Sequence, residues 1–263
     1  MQLLAKEILE QRLSSLISLR QKLPHPPVMA LIWVGDDQQT ATFIRAKQAL
    51  AKKIDCQFFL HHFPAASFQQ LAAVIDGLNF RKDIDGIVLQ LPLPKSIDPD
   101  ALIQKIIPIK DIDNLRGDSP YAQPTPSAIV ELLKFNGIDP AERKTVVLGA
   151  GRLVGAPLAK MFEKNKWTCL SIDRQAEKRT DKIRSHNLLI AATGKKGIVT
   201  PEMVHDRMVV VDGSGIDVDV ETIEPLVEKI TPPKGAIGPL TVNSLFENLL
   251  IATAQRLKKA VRS

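Results

Sequence analysis

The stretch that decides the fold is residues 85–114, DGIVLQLPLPKSIDPDALIQKIIPIKDIDN. Its first part, residues 86–89, is a short apolar run typical of a strand that is buried on both faces of a sheet. Pro92 and Pro94 cannot donate a ladder hydrogen bond, so the strand must end before them. Gln90 therefore lies at the carboxyl end of a buried strand, which is where open α/β sheets bind their ligands.

Similar apolar runs alternate with helical patterns along the whole chain. Alternation of this kind predicts a mostly parallel sheet with helices on both faces. The runs of strand length are residues 28–34, 57–60, 86–89, 145–148, 168–172, 188–192 and 208–212. Residues 1–23 have the pattern of an amphipathic helix, and Thr40 is a candidate cap for a helix that ends near Lys53. Residues 115–127 contain three prolines and no periodicity, so we expect a boundary between two domains there.

The composition excludes several classes of protein. The chain has 263 residues, of which 44% are hydrophobic and 24% charged, and it contains no apolar run of about 18 residues that could span a membrane. Its two cysteines have no metal-ligand spacing, so we expect free thiols, no metal site and a cytoplasmic location. The net charge of +6 suits an anionic partner, and a generally basic surface explains it equally well. We expect no nucleic-acid partner, because aromatic residues make up only 5% and do not interleave with the basic ones.

A glycine-rich turn, GAGRLVG at residues 149–155, follows one predicted strand and precedes a predicted helix. Gly149, Gly151 and Gly155 would allow a tight turn and a close approach of a phosphate to the helix N-terminus. The spacing is one residue longer than the commonest dinucleotide fingerprint, and an ordinary strand-to-helix turn is the alternative interpretation. The position of the turn favours a dinucleotide site.

The choice between NAD and NADP depends on the residues that follow the next strand. Asp173 stands where a carboxylate can accept hydrogen bonds from the ribose hydroxyls of NAD, and it would repel a 2′-phosphate. Arg152, Arg174 and Lys178 could supply positive charge for NADP, so both cofactors stay open. In isolation Asp173 would be a solvated loop residue.

Five separated motifs together resemble the bifunctional methylenetetrahydrofolate dehydrogenase/cyclohydrolase family. The family patterns G-[IV]-x-x-Q-L-P-L-P and P-x-K-D-[VI]-D-G match residues 86–94 and 108–114, with Asn114 in place of the last glycine. The pattern V-G-x-x-x-x-S-x-x-Y-[VI]-x-x-K matches residues 34–47, with Thr40 for serine and Phe43 for tyrosine. Lys47 matches the lysine that is catalytic in this family, whereas taken alone it would be a surface lysine.

The other motifs lie in the second half of the chain. Residues 149–157 resemble G-R-S-x-[IV]-V-G-x-P, and residues 231–241 resemble T-P-V-P-G-G-V-G-P-M-T. Thr125 begins the T-P of the family's P-C-T-P-x-G. The family arginine, which commonly contacts the 2′-phosphate of NADP, is replaced by Ala150. This replacement favours NAD, although NADP is the usual cofactor of the family.

The resemblance implies a fold, a reaction and a set of site residues. We expect a two-domain α/β protein: a folate-binding catalytic domain at residues 1–122, completed by a helix at 242–263, and a Rossmann-type NAD(P)-binding domain at residues 123–241. It would oxidise 5,10-methylenetetrahydrofolate to the methenyl form with NAD or NADP, hydrolyse that to 10-formyltetrahydrofolate, and form a homodimer.

The resemblance also implies a role for each catalytic residue. Lys47 would shuttle protons, Gln90 would orient Lys47 and the attacking water, and Asp113 would hold the pterin. The residues expected to contact the folate are Phe43, Gln90, Leu91, Pro92, Asp113, Gly238 and Pro239. Those expected to contact the dinucleotide are Thr125, Gly149, Gly151, Arg152, Leu153, Val154, Gly155, Asp173, Arg174, Thr193 and Gly194.

Two other classes of function remain open from the sequence. A shikimate-type dehydrogenase also pairs an α/β substrate domain with a dinucleotide domain. A folate- or nucleotide-binding protein without turnover would account for the altered positions Phe43, Asn114, Ala128 and Ala150. Asp113 alone could also be a loop carboxylate that caps a turn.

Overall fold

The computed structural model describes residues 1–260, which form two compact units. The three-stranded unit comprises residues 11–124 and the chain from residue 242 onward. The five-stranded unit comprises residues 1–10 and 125–241. Each unit has a parallel β-sheet, as the alternating pattern predicted. No helix within residues 1–260 is long and apolar enough to cross a bilayer.

The sheet of the three-stranded unit consists of β1 (Val28–Val34), β2 (Gln57–Phe63) and β3 (Gly86–Leu89), in the order β2-β1-β3. Every residue of β1 and β3 is buried, because hydrophobic clusters cover both faces of the sheet. Gln90 extends the β3 ladder by one bond, from its N–H to the carbonyl of Ile32, and the chain then leaves the sheet. The end of β3 is therefore fixed at the residue that the two prolines predicted.

Helices α1 to α4 and α9 accompany this sheet: α1 (Lys6–Gln21), α2 (Gln38–Lys53), α3 (Phe68–Phe80), α4 (Pro99–Lys105) and α9 (Ile237–Ala260). The cap of α2 is Asp37, whose carboxylate accepts the N–H of Thr40 at 2.7 Å. The prediction of Thr40 as the cap was wrong, because the helix begins at Gln38 and Thr40 lies within its first turn.

The sheet of the five-stranded unit has the order β5-β4-β6-β7-β8. Its strands are β4 (Thr145–Leu148), β5 (Cys169–Ile172), β6 (Leu188–Ala191), β7 (Val209–Asp212) and β8 (Lys229–Ile230). Its helices are α5 (Pro124–Phe135), α6 (Gly155–Lys164), α7 (Arg179–Arg184) and α8 (Val220–Ile223). From β4 the chain proceeds to β5 on one side and returns to β6 on the other, so the strand order reverses at β4. Ligands of open α/β sheets bind at the carboxyl ends of strands at such a reversal.

The first ten residues lie in the five-stranded unit, whereas the sequence predicted that residues 1–122 form one domain. Leu3 donates its N–H to the carbonyl of Ile230 in β8 at 2.8 Å, and its side chain packs in the core of that unit with Ile8. This backbone pairing joins positions far apart in the sequence, so no local pattern signals it. The last part of the predicted 242–263 helix, residues 261–263, lies outside the described residues.

Candidate active site

A buried lysine and an amide meet at the carboxyl end of β3. The Lys47 ammonium donates to Oε1 of Gln90 at 2.7 Å. Lys47 is only 8% exposed, because it lies on the stripe of α2 that faces the core, one turn after the buried Ile44. The interpretation of Lys47 as an ordinary surface lysine is therefore excluded.

The Gln90 amide has a defined orientation. Its Nε2 donates to the carbonyl of Leu91 at 2.8 Å, which leaves Oε1 as the acceptor that faces Lys47. An amide held in this way directs one N–H of the ammonium toward itself and leaves two for other partners. Gln90 therefore orients Lys47 in the structure.

The Asp113 carboxyl and the Lys47 ammonium interact electrostatically. Burial raises the pKa of the Asp113 carboxyl to about 6. The positive charge of Lys47 lowers this pKa, and the negative charge of Asp111 raises it. Burial also lowers the pKa of Lys47, and Asp113 opposes that change. Within residues 1–260 the Asp113 carboxylate, which is half-buried, has no hydrogen-bond partner. The site thus combines a lysine that loses its proton more easily than usual with a carboxylate whose lone pairs are available to a ligand.

The other two charges of the 110–113 segment hold the loop. The Lys110 ammonium donates to the carbonyls of Leu78, Asn79 and Arg81 at the end of α3, at 2.6–2.8 Å. The Asp111 carboxylate accepts hydrogen bonds from the N–H groups of two later loop residues and from a serine hydroxyl: Leu115, Arg116 and Ser119. Lys110 and Asp111 are therefore bonded within the protein, whereas no hydrogen bond to Asp113 is found among the described residues.

Asn114, which replaces the family's glycine, fits the loop without disturbing it. Its φ is +48°, a left-handed conformation that asparagine adopts more readily than most residues. Its side chain donates to the carbonyl of Tyr121 at 2.7 Å and accepts the N–H of Ser119 at 3.2 Å. The substitution therefore adds two loop bonds that glycine could not make.

Sequence reasoning missed Asn248, a buried residue of α9. Its amide donates to the carbonyls of Ile112 at 2.8 Å and Ala122 at 2.7 Å. These carbonyls belong to the loop that carries Asp113, so Asn248 anchors that loop to the last helix. Its sequence signal was weak, because it is one of several polar residues within the apolar pattern of α9.

The remaining residues predicted for the folate lie near Lys47 or in the other unit. Phe43 is one helical turn before Lys47, and its ring is 42% exposed. Leu91 and Pro92 directly follow Gln90; Leu91 is half-buried and Pro92 is exposed. Gly238 and Pro239 lie in the first turn of α9. This turn belongs to the five-stranded unit, whereas Lys47 belongs to the three-stranded unit.

His62 of β2 has an aromatic neighbour and a backbone partner. The His62 ring stacks on Trp33 with centroids 3.9 Å apart, and its Nε2 lies 2.8 Å from the carbonyl of Gly35. Among the described residues there is no cluster of three or more potential metal ligands.

The glycine-rich turn is tightly packed against the end of β6. Gly149 has φ +102°, and a Cβ there would lie 2.7 Å from the carbonyl oxygen of Ala192. A Cβ on Gly155 would collide with the Gly149 carbonyl. Helix α6 starts at Gly155 with no side-chain cap. The N–H of Ala156 donates to the carbonyl of Gly151 at 3.1 Å and Pro157 has no N–H, so within the first turn the Gly155 N–H is the group left for another acceptor. This backbone fits a phosphate of a dinucleotide.

Thr193 and Gly194 follow β6 and adjoin this turn, with Thr193 Cγ2 only 3.0 Å from a Cβ built on Gly149. Asp173 and Arg174 follow β5, the other neighbour of β4, and both are exposed. The Asp173 carboxylate accepts the N–H of Gln175 at 2.9 Å.

The Thr125 hydroxyl, at the start of α5, lies 3.4 Å from the Thr241 hydroxyl. Arg152, Leu153 and Val154 complete the turn before α6.

The sheet reversal, the glycine turn and the buried lysine define an α/β enzyme with a nicotinamide dinucleotide domain, and comparison with known proteins agrees. Two family models match: the catalytic domain of tetrahydrofolate dehydrogenase/cyclohydrolase at residues 2–113, and its NAD(P)-binding domain at residues 123–257. The chain therefore belongs to the tetrahydrofolate dehydrogenase/cyclohydrolase family, and the resemblance seen in the motifs is confirmed.

Individual relatives cover nearly the whole chain. The bifunctional protein FolD of Lactobacillus gasseri is 34% identical over 88% of this chain and 88% of its own length. The structure of the Trypanosoma brucei methylenetetrahydrofolate dehydrogenase-cyclohydrolase, solved with NADP and an inhibitor, superposes with a TM-score of 0.88. It is 25% identical and covers 100% of this chain and 99% of its own.

The shikimate-type alternative is not favoured. A shikimate dehydrogenase structure in complex with NADP reaches a TM-score of 0.55 at 16% identity, over 88% of this chain and 95% of its own. That likeness shows a related fold only.

Proposed function

We propose that this chain catalyses both reactions of its family through the residues described above. It oxidises 5,10-methylenetetrahydrofolate to the methenyl form and hydrolyses that product to 10-formyltetrahydrofolate. The observation that carries the proposal is the buried Lys47 ammonium, held by Gln90 and electrostatically coupled to Asp113. Burying a lysine is costly, and a lysine with a lowered pKa is suited to proton transfer.

Asp113 is proposed to recognise the pterin. The pterin presents a 2-amino group and an N3–H side by side, and one carboxylate can accept a hydrogen bond from each. Its raised pKa of about 6 still leaves the carboxylate ionised at neutral pH. The exposed ring of Phe43 offers a packing surface for the aromatic parts of the folate, and Leu91 and Pro92 lie beside Gln90.

In the hydrolytic step, water adds to the methenyl carbon and the ring opens to the formyl product. A proton must leave the attacking water and another must reach the departing nitrogen. Lys47 is proposed to shuttle them, because burial lowers its pKa and so makes the neutral amine more accessible than in an exposed lysine. Gln90 orients the ammonium through the 2.7 Å bond and helps to place the water.

In the oxidative step, the bound dinucleotide supplies the acceptor for the hydride that leaves the methylene carbon. The protein's part is to bind and align the two reactants. Gly149, Gly151 and the N-terminus of α6 are proposed to hold the diphosphate, and Thr193 and Gly194 to border the nicotinamide half. Thr125, Arg152, Leu153 and Val154 would complete the dinucleotide site, and Gly238 and Pro239 would line the folate side.

We further propose that the enzyme uses NAD to a measurable extent. Ala150 cannot contact a 2′-phosphate, and the exposed Asp173 carboxylate favours a ribose hydroxyl. Arg174 and Arg152 offer positive charge that would tolerate NADP, which is the cofactor in the Trypanosoma brucei relative.

A homodimer is the proposed assembly. β2 is an edge strand of its sheet and exposes Phe59 by 41% and Leu60 by 37%. The nearby end of α3 exposes Phe80 by 86%. An apolar strand edge of this kind is suited to burial against a second copy.

The test is to incubate the purified protein with methylenetetrahydrofolate and either NAD or NADP while following the methenyl absorbance. A transient rise that then decays to 10-formyltetrahydrofolate supports both activities. Tight folate binding without any spectral change would favour a binding protein without turnover, and activity only on a 3-dehydroshikimate-type substrate would overturn the assignment.

A further inference from the structure

A fully buried carboxylate organises the loop at the carboxyl end of β6. Asp217 is 0% exposed. Its Oδ2 accepts the N–H of Thr193 at 2.6 Å, and its Oδ1 accepts the N–H of Lys195 at 2.9 Å. The two oxygens therefore hold the backbone on either side of Gly194.

The backbone around Asp217 extends this attachment. Gly197 donates to the carbonyl of Ile216 at 2.9 Å, and Val199 donates to the carbonyl of Asp217 itself at 3.1 Å. The loop after β6 is thus joined along its length to the loop after β7. Because Thr193 packs against Gly149, the position of the glycine turn depends on the same attachment.

Asp217 is in turn held in place from its own loop. The Ser214 hydroxyl lies 2.7 Å from Asp217 Oδ1 and 2.9 Å from Asp212 Oδ1. Asp212 accepts the N–H groups of Ser214, Gly215 and Val218, which fixes this loop at the end of β7. Among the described residues no basic side chain pairs with Asp217, so backbone amides and a hydroxyl provide its stabilisation.

We propose that Asp217 is a positioning residue for the dinucleotide, which it never touches. It sets residues 193–195 in the conformation that receives the nicotinamide half before the ligand arrives. This inference rests on the proposed dinucleotide site at the glycine turn. A carboxylate is needed because both of its oxygens face N–H donors, whereas one end of an asparagine amide would present N–H groups to an N–H.

The test is Asp217→Asn, with Asp219→Asn as the matched control. Asp219 undergoes the same chemical change two residues away, where its side chain is exposed. We expect Asp217→Asn to raise the KM and the Kd for the dinucleotide about tenfold or more, with a change in kcat of about twofold at most. Hydrolysis of methenyltetrahydrofolate without dinucleotide should be unchanged, because Lys47, Gln90 and Asp113 belong to the other unit.

An unchanged dinucleotide KM would overturn the inference. So would an equal loss of oxidation and hydrolysis, since that pattern marks a general structural role. If the parent protein binds neither NAD nor NADP by calorimetry, the proposed function fails, and this inference fails with it.

A second measurement decides the matter if Asp217→Asn does not fold. Hydrogen exchange of the peptide that contains residues 193–195 can be followed in the parent protein with and without NADP. We expect slow exchange of the Thr193 and Lys195 amides already without ligand, because Asp217 holds them. Fast exchange that slows only when NADP is added would show that the ligand, and not Asp217, orders this loop.

Discussion

The proposed Lys47 site and the proposed dinucleotide site at the glycine turn are built in opposite ways. The first depends on side chains, with a buried ammonium, an amide and a carboxylate from α2, β3 and one loop. The second depends on backbone, with Gly149 and Gly155 packed too closely for any side chain. A side-chain site tolerates few substitutions, whereas a backbone site keeps its shape when neighbours such as Ala150 differ from the family pattern. The substitutions in this chain occur in both: Phe43 and Asn114 lie beside Lys47 and Asp113, and Ala150 lies in the glycine turn.

The largest expected effect is at Lys47. Lys47→Met should reduce the hydrolysis of methenyltetrahydrofolate by about 10²–10⁴-fold, the usual share of general acid–base assistance. The measurement is the decay of methenyl absorbance at neutral pH. Lys52→Met, in an exposed position of the same helix, is the control and should retain the parent rate. Undiminished hydrolysis by Lys47→Met would contradict the assignment.

Removing the Asp113 carboxylate should weaken folate binding far more than dinucleotide binding. Asp113→Ala is expected to weaken folate binding by roughly 10²–10⁴-fold, because it removes two charge-assisted hydrogen bonds worth about 1.5–3 kcal/mol each, and to leave dinucleotide binding within about twofold. Calorimetric titration of both ligands measures this. Asp118→Ala removes an exposed carboxylate from the same loop and is the control. Equal weakening of both ligands would indicate a structural role for Asp113.

The raised pKa of Asp113 predicts a pH dependence. With a pKa of about 6, the carboxyl becomes neutral as the pH falls through 6 and loses its charge-assisted contacts with the pterin. Folate affinity should therefore be roughly tenfold lower at pH 5 than at pH 8, while the dinucleotide affinity stays level. Titrations between pH 5 and pH 8 test this, and a folate affinity that is flat across the range would refute it.

A smaller change is expected at Asp173. Asp173→Ser should shift the ratio of kcat/KM values toward NADP by roughly fivefold to tenfold, because the carboxylate that repels a 2′-phosphate is gone. Initial rates with each dinucleotide give the ratio. If the parent strongly prefers NADP and the mutant does not differ, the Asp173 side chain points away from the ribose.

The smallest effect is expected at Phe43. Restoring the family's hydroxyl with Phe43→Tyr should raise the hydrolysis rate by a few-fold and the oxidation rate by less, because only hydrolysis depends on a proton network around Lys47. Thr40 cannot easily replace that hydroxyl, since its own hydroxyl is bonded to Asp37. Equal acceleration of both rates, or none, would show that the missing hydroxyl does not limit hydrolysis.

The side-chain site was largely predictable from sequence, and the backbone site only in part. Pro92 and Pro94 fixed the end of β3, and motif spacing placed Lys47 and Asp113 near it. The sequence did not reveal that Lys110 and Asp111 hold the loop in place. The carbonyls that Lys110 binds lie about 30 positions earlier in the chain, so no local pattern shows the contact.

Support from distant positions escaped prediction altogether. Asn248 reaches the Asp113 loop from the last helix, and Asp217 reaches Thr193 across 24 positions. The pairing of Leu3 with β8 is of the same kind. Such contacts depend on tertiary packing, which no local pattern of hydrophobicity or turn residues encodes.

The most direct measurement is a crossed assay of Lys47→Met and Asp217→Asn in which dinucleotide binding and methenyltetrahydrofolate hydrolysis are measured on the same preparations. If the two sites are built independently, Lys47→Met loses hydrolysis and binds dinucleotide like the parent. Asp217→Asn should hydrolyse like the parent and bind dinucleotide about tenfold more weakly. Loss of both properties in either variant would contradict the separation of a side-chain site from a backbone site.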